Sequence, residues 1–187
     1  MRAMVLFLAL ATPGPALAQA ATPPAAAVAN TSFMEPDGDR VMQISTVVPA
    51  PPAEVWKALS TAEGWKRLGV KMAAVDFQVG GMIETNYRAD AQPGERSNIK
   101  NLIVAYLPER LLVIRNVQAP AGFANAEAFS RTATIIELEP WGGGQTRVRL
   151  SGVGFRPGGA YDDLYGKFTA GNAYSLDLLR RSFTPED

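Results

Sequence analysis

The sequence contains no histidine and no cysteine among its 187 residues. Histidine is the usual general base near neutral pH and the commonest metal ligand, and cysteine is a strong nucleophile and a soft metal ligand. Their absence excludes Ser-His-Asp and Cys-His catalysis, and we expect neither a metal nor an organic cofactor. It also excludes disulfides and a lipid anchor attached through a cysteine thiol. Carboxylates, arginine and tyrosine remain for any proton transfer.

An excess of one charge is also lacking, since the chain has 18 basic and 18 acidic residues. Proteins that bind nucleic acid or anionic membranes carry clustered Lys and Arg, and no such cluster occurs here. We therefore expect no nucleic-acid partner and no stable membrane anchor.

Residues 1–18 have the order of a cleavable export signal. Arg2 precedes an apolar run over residues 3–11, a Pro-Gly-Pro break follows, and the segment ends on Ala16-Leu17-Ala18. A transmembrane helix needs about 20 apolar residues, roughly twice the length of this run. We expect residues 1–18 to be a signal peptide and the mature protein to be periplasmic or secreted.

The next segment, residues 19–39, is rich in alanine and proline and has almost no periodic apolar pattern. This composition predicts an unpacked linker, which ends at the turn signal of residues 37–39. The remainder, residues 40–187, is about the size of one ordinary domain.

Within that domain the apolar pattern predicts a strand over residues 40–48, a helix starting at Pro52 and a second short helix capped by Thr61. A helical pattern over residues 160–181 predicts one long terminal helix. Between the helices, closely spaced Gly and Pro breaks separate six predicted strands, at residues 73–79, 82–89, 98–107, 111–117, 129–139 and 145–155.

These breaks leave no room for crossover helices, so the strands must pair through hairpins in an antiparallel sheet. The predicted fold is α+β. An antiparallel sheet of about seven strands curls around the long C-terminal helix, and two short helices follow the first strand.

Four local motifs carry a resemblance to a known superfamily. They are VPAPPAEVWKAL at residues 48–59, VDFQVGG at 75–81, LPERL at 107–111, and LEP at 138–140 followed by GQTRV at 144–148. With these motifs and this order of elements, residues 41–182 resemble the START-like superfamily, also called SRPBCC. The resemblance is strongest to its branch of Hsp90 ATPase activators, polyketide cyclases and lipid transport proteins. It implies the helix-grip fold, because the motifs are structural rather than catalytic.

One face of the predicted sheet is apolar with a few hydroxyls, and the terminal helix faces it. The sequence predicts a hydrophobic ligand cavity between them, although the same residues could instead fill a core. Gly166 and Gly171 lower the helix propensity, which suggests that space is needed beside them. The predicted lining is Trp65, Ile83, Thr85, Tyr87, Thr134, Ile136, Val148, Leu150, Tyr165, Phe168, Asn172 and Leu176.

Three functions remain open. The first is binding or carriage, without catalysis, of a small hydrophobic molecule such as a lipid or a polyketide-like compound. The second is a cyclase or dehydratase, and the third is a protein-interaction module like the Hsp90 ATPase activators, which export disfavours. Glu84 and Arg88 are predicted to lie on a solvated face in a structural role. The candidates for proton transfer are Glu84, Tyr87, Arg88, Arg115, Tyr165 and Asn172.

Overall fold

A computed structural model describes residues 27–184. The predicted signal peptide, the start of the predicted linker and the last three residues lie outside them. No helix in residues 27–184 is long and apolar enough to cross a membrane. The described strands are β1 (Ala29–Asn30), β2 (Phe33–Met34), β3 (Arg40–Val48), β4 (Met72–Val75), β5 (Met82–Asn86), β6 (Ile99–Leu107), β7 (Leu111–Gln118), β8 (Ala133–Trp141) and β9 (Gln145–Phe155). The described helices are α1 (Pro52–Ser60), α2 (Ala62–Lys66), α3 (Ala126–Ser130) and α4 (Gly159–Arg181).

The strands form one antiparallel sheet in the order β1-β3-β9-β8-β7-β6-β5-β4, with β2 also paired to β3. The α+β helix-grip architecture is therefore confirmed, with nine strands in the described residues instead of about seven. The two additional strands, β1 and β2, lie in the segment predicted as an unpacked linker. They cover the free edge of β3, where Ala29 pairs with Ser45 and Phe33 with Val41. Two-residue strands are too short to show a periodic pattern.

The start of β8 also differs from the prediction. Residues 129–139 were expected to form one strand, but Phe129 ends up in the short helix α3, and the strand begins at Ala133. The Phe129 ring packs edge-on against Phe168 of α4, with ring centroids 5.8 Å apart. A five-residue helix has little more than one turn, so this tertiary contact decides the conformation.

The alternating burial of β3 places Met42 and Ile44 on the sheet face that α4 covers. On α4, the buried side chains are Leu164, Leu176 and Leu179. The helix packs on β3 and β9. This half of the helix–sheet interface is filled core.

A polar contact fixes the first turn of α4 to β3. The Arg40 guanidinium forms an ion pair with Asp162 and lies over the Tyr165 ring, 4.6 Å from its centroid. Farther across the sheet, β6 and β7 pair with two irregularities of register, which bend strands. The sheet thus curves under a helix anchored along one side, and the cavity lies between α4 and strands β5 to β9.

The corner between α1 and α2 depends on one glycine. The predicted cap is confirmed, since the Thr61 hydroxyl oxygen accepts a hydrogen bond from the Gly64 N–H at 3.1 Å. A Cβ on Gly64 would lie 2.4 Å from the Ala58 Cα and carbonyl oxygen, far inside van der Waals contact. Only glycine lets the helices meet this closely, and their meeting holds Trp65, whose indole N–H donates to the Leu59 carbonyl at 2.8 Å.

Substituting Gly64 by alanine should lower the free energy of unfolding by about 1–3 kcal/mol, because the backbone of α1 must shift. Urea denaturation checks this. Gly166→Ala is the matched control: a Cβ there meets nothing within 4 Å, so α4 should gain up to about 1 kcal/mol of helix propensity. Equal stability of Gly64→Ala and wild type would contradict the packing described.

Candidate functional site

The cavity between α4 and the sheet has a volume of about 380 Å³, within the range typical of small-molecule sites. Helix α2 and the segment after it close one end of the cavity. The segment between β7 and α3 forms part of its wall, and α4 covers it on the side opposite the sheet. The walls are mainly aromatic and aliphatic. Their large side chains include Trp65, Leu68, Ile99, Ile114, Phe123, Phe129, Ile136, Leu150, Phe168 and Leu176.

Most of the predicted lining residues surround this cavity: Trp65, Thr85, Tyr87, Thr134, Ile136, Leu150, Phe168, Asn172 and Leu176. Three do not line it. Ile83 and Val148 are fully buried core residues, and Val148 lies on β9, which α1 contacts. Tyr165 packs edge-on against Phe155 at 5.4 Å, beneath Arg40. Strand alternation identifies the inner face, but it does not show where along a strand the core ends and the cavity begins.

Two buried polar lining residues were not predicted. Asn101 on β6 and Asn116 on β7 are paired across the strands, and only 7% and 5% of their surfaces are exposed. A signal for them exists in the sequence. Asn116 lies two and four residues after Ile114 and Leu112, and Asn101 lies two residues before Ile103. Residues at this spacing share a strand face, so each asparagine stands on an otherwise apolar face.

The Asn116 amide is held in one orientation. Its Nδ2 donates to the Thr132 hydroxyl at 2.6 Å, and that hydroxyl donates to the Phe129 carbonyl at 2.7 Å. A threonine hydroxyl has a single proton, so with that proton on a carbonyl it can only accept from Asn116. The Asn116 Oδ1 therefore remains available as an acceptor on the side away from Thr132.

The Asn101 amide lacks such a partner. Its Oδ1 is buried and accepts no hydrogen bond from any group within residues 27–184. Neighbouring buried asparagines are tied down, since the Asn86 Nδ2 donates to the Asn98 Oδ1 at 2.7 Å and the Asn98 Nδ2 donates to the Glu84 carboxylate at 2.6 Å. Asn101 is thus an unmatched polar group in an apolar wall.

The titratable groups among the lining residues are Tyr87 and Lys167. Partial desolvation raises the pKa of Tyr87 above its ordinary value of about 10.0, so the phenol stays protonated near neutral pH. The Lys167 ammonium lies 2.8 Å from an Asp163 carboxylate oxygen and 5.6 Å from the centre of the Phe123 ring. The hydrogen bond from Lys167 lowers the pKa of Asp163, and Asn125 also donates to this carboxylate. These contacts join α4 to the segment before α3.

No Asp or Glu lines the cavity in the described part of the chain, which also has no cluster of three or more potential metal ligands. Glu84 and Arg88 were expected on one solvated face, and for Glu84 this was wrong. Only 12% of its side chain is exposed, and it accepts hydrogen bonds from the Gly94 N–H at 2.8 Å and from Asn98. Arg88 pairs instead with Asp90 at 2.9 Å, and Arg115 is exposed.

Replacing Glu84 by alanine should lower the free energy of unfolding by about 1.5–3 kcal/mol, because the buried Asn98 amide loses a charged acceptor. The matched control is Glu137→Ala. Glu137 is 45% exposed and pairs with Arg149 at 3.5 Å, so its loss should cost under about 1 kcal/mol. Guanidinium denaturation of both variants measures the difference, and equal small effects would mean that Glu84 is solvated after all.

The family model described as "Activator of Hsp90 ATPase homolog 1-like protein" matches residues 49–184. No curated protein matches the sequence.

Solved structures with similar folds include CalU16 from Micromonospora echinospora, with a TM-score of 0.59, 19% identity, and coverage of 86% of this chain and 88% of that one. The Aha1 dimer from Colwellia psychrerythraea gives a TM-score of 0.60 and 17% identity over 76% of this chain and 95% of that one. Protein MLL2253 from Mesorhizobium loti gives a TM-score of 0.59 and 21% identity over 78% of this chain and 100% of that one. At these identities the likeness concerns the fold alone. The family match covers most of the chain, and the protein belongs to the family of Activator of Hsp90 ATPase homolog 1-like proteins.

Proposed function

We propose that this protein binds or carries a small hydrophobic molecule in the cavity between the sheet and α4, without catalysing a reaction. The observation that carries the proposal is the cavity of about 380 Å³ with apolar walls and few polar groups. Small-molecule sites have this composition, in which apolar surface supplies affinity and a few polar groups supply orientation.

The chemistry of the lining supports binding over catalysis. A cyclase or dehydratase needs a group that takes up or releases a proton at the substrate. Tyr87 is a protonated phenol near neutral pH, and Lys167 is engaged by Asp163. No carboxylate from residues 27–184 reaches the cavity to serve as the base.

The size of the hydrophobic effect sets the affinity to expect. Burial of ten methylene groups contributes about 8 kcal/mol. Association itself costs about 4–15 kcal/mol. The affinity for simple apolar compounds should therefore be modest, and selectivity among them broad.

Native mass spectrometry of protein purified from its own host, followed by organic extraction, tests the proposal directly. We expect a reproducible apolar adduct. Binding of the uncharged fluorophore N-phenyl-1-naphthylamine provides a second assay that does not depend on copurification.

A blocked variant makes this test specific to the cavity. Gly171 lines the cavity and a Cβ there meets nothing within 4 Å, so the side chain of Gly171→Leu should enter free space and weaken fluorophore binding at least tenfold. Gly166→Leu places the same side chain on the same helix at a residue outside the lining, and should bind like wild type. A bare mass together with equal binding by both variants would refute the ligand site.

We further propose that the protein acts outside the cytoplasm. The proposal rests on the charged, apolar and small-residue order of residues 1–18, with Ala16 and Ala18 at the positions read by signal peptidase. Export would separate the chain from a cytosolic, ATP-dependent Hsp90 partner, which favours ligand carriage over the role in the family's name.

Expression of the full chain in a bacterial host should yield an exported form that begins at Gln19, because cleavage follows Ala18. N-terminal sequencing of the periplasmic and medium fractions measures this. Ala16→Lys with Ala18→Lys should block cleavage and leave the full-length chain. An uncleaved wild-type protein confined to the cytoplasm would contradict export.

A further inference from the structure

We infer that the cavity selects uncharged molecules whose polar end carries a hydrogen-bond donor beside an acceptor, as in a carboxamide, and that Asn101 and Asn116 bind this end. The inference rests on the function proposed above and adds the chemical class of the ligand.

The two asparagines form one recognition surface. Asn101 and Asn116 are directly paired on adjacent antiparallel strands, so their side chains stand on the same face with Cβ atoms about 4.5–5.5 Å apart. Both side chains are more than nine-tenths buried and both line the cavity. Two adjacent amides in this arrangement can contact one small polar group at the same time.

The hydrogen bonds around the pair determine what it offers. Thr132 holds the Asn116 Nδ2, which leaves the Asn116 Oδ1 as an acceptor for a ligand N–H or O–H. No side-chain hydrogen bond within residues 27–184 ties down Asn101, and its buried Oδ1 has no partner. The Asn101 amide thus has its Nδ2 as a donor and its Oδ1 as an acceptor for a ligand.

The unmatched Asn101 amide is itself an argument for a ligand. Buried polar groups in folded proteins almost always find a partner, and leaving one unmatched is unfavourable. A primary carboxamide would satisfy these groups together: its oxygen accepts from the Asn101 Nδ2, one of its N–H groups donates to the Asn101 Oδ1, and the other donates to the Asn116 Oδ1. A hydrocarbon would leave the Asn101 amide and the Asn116 Oδ1 without partners.

The charges around the cavity determine the charge of the ligand. Lys167 is the cation among the lining residues, and its ammonium is already paired with Asp163 at 2.8 Å. A ligand carboxylate placed at the asparagines would be desolvated beside the Asn116 Oδ1 with no free cation to compensate. A ligand ammonium would likewise find no carboxylate among the lining residues.

The test uses displacement of N-phenyl-1-naphthylamine by three compounds with the same acyl chain: octanamide, methyl octanoate and octanoate. Octanamide both donates and accepts, the ester only accepts, and octanoate is an anion. With wild-type protein at neutral pH, octanamide should displace the fluorophore at a concentration about tenfold lower than either of the others.

The variant Asn101→Leu retains bulk and removes the amide. Relative to methyl octanoate measured on the same variant, it should bind octanamide about tenfold more weakly, which brings the amide level with the ester. Because the amide it removes is unmatched, its melting temperature should equal or exceed that of wild type. Asn116→Leu is the contrast, since it removes the bond to Thr132 and should lower the melting temperature as well as the amide preference.

Different results would refute the ligand site and the preference for a carboxamide. A protein that binds neither the fluorophore nor any of the three compounds would overturn the ligand site and this inference with it. Fluorophore binding with equal displacement by amide and ester would overturn the inference alone. So would an amide preference retained in Asn101→Leu, or a loss of folding in that variant, which would mean that Asn101 has a structural role.

Discussion

The one-sided attachment of α4 is the constraint on which the rest of the structure depends. This helix of 23 residues is about 35 Å long, enough to lie across the whole sheet. Its packing on β3 and β9, with Arg40 fixing its first turn, seals only one half of the interface. The curvature of the sheet then keeps β5 to β8 at a distance from the helix, so the other half is a cavity instead of a core.

Within that cavity, the few polar groups determine how a ligand is oriented. Apolar walls can accept many molecules, because burial of apolar surface is not directional. Orientation has to come from hydrogen bonds, and those of Asn116 are set by Thr132 and the Phe129 carbonyl at the end of α3. The same short helix contributes the Phe129 ring to the cavity wall. Helix α3 therefore links the shape of the cavity to its hydrogen-bonding capacity.

Much of the fold could be predicted because long elements carry a period. Strand β3, the helix that starts at Pro52, the Thr61 cap, β9 and α4 lie where the sequence predicts them. The sequence also predicts strands β4 and β5 to run to residues 79 and 89, but they end at Val75 and Asn86. The elements that were missed altogether are short ones, which have no room for a period. The pairs of residues in β1 and β2, and the five residues of α3, take their conformation from the strand edge and the aromatic cluster they meet.

The sequence by itself determined the order of the long elements, the inner apolar face and the lack of histidine and cysteine chemistry, since these follow from residue types and local spacing. Only the tertiary structure decided that Ile83 and Val148 are core while Thr85 and Leu150 line the cavity, that Glu84 is largely shielded from solvent, and that Asn101 is unmatched beside Asn116. Alternation along one strand indicates which way a side chain points. What it meets there depends on register, sheet curvature and the position of α4, which are set by residues far away in the sequence.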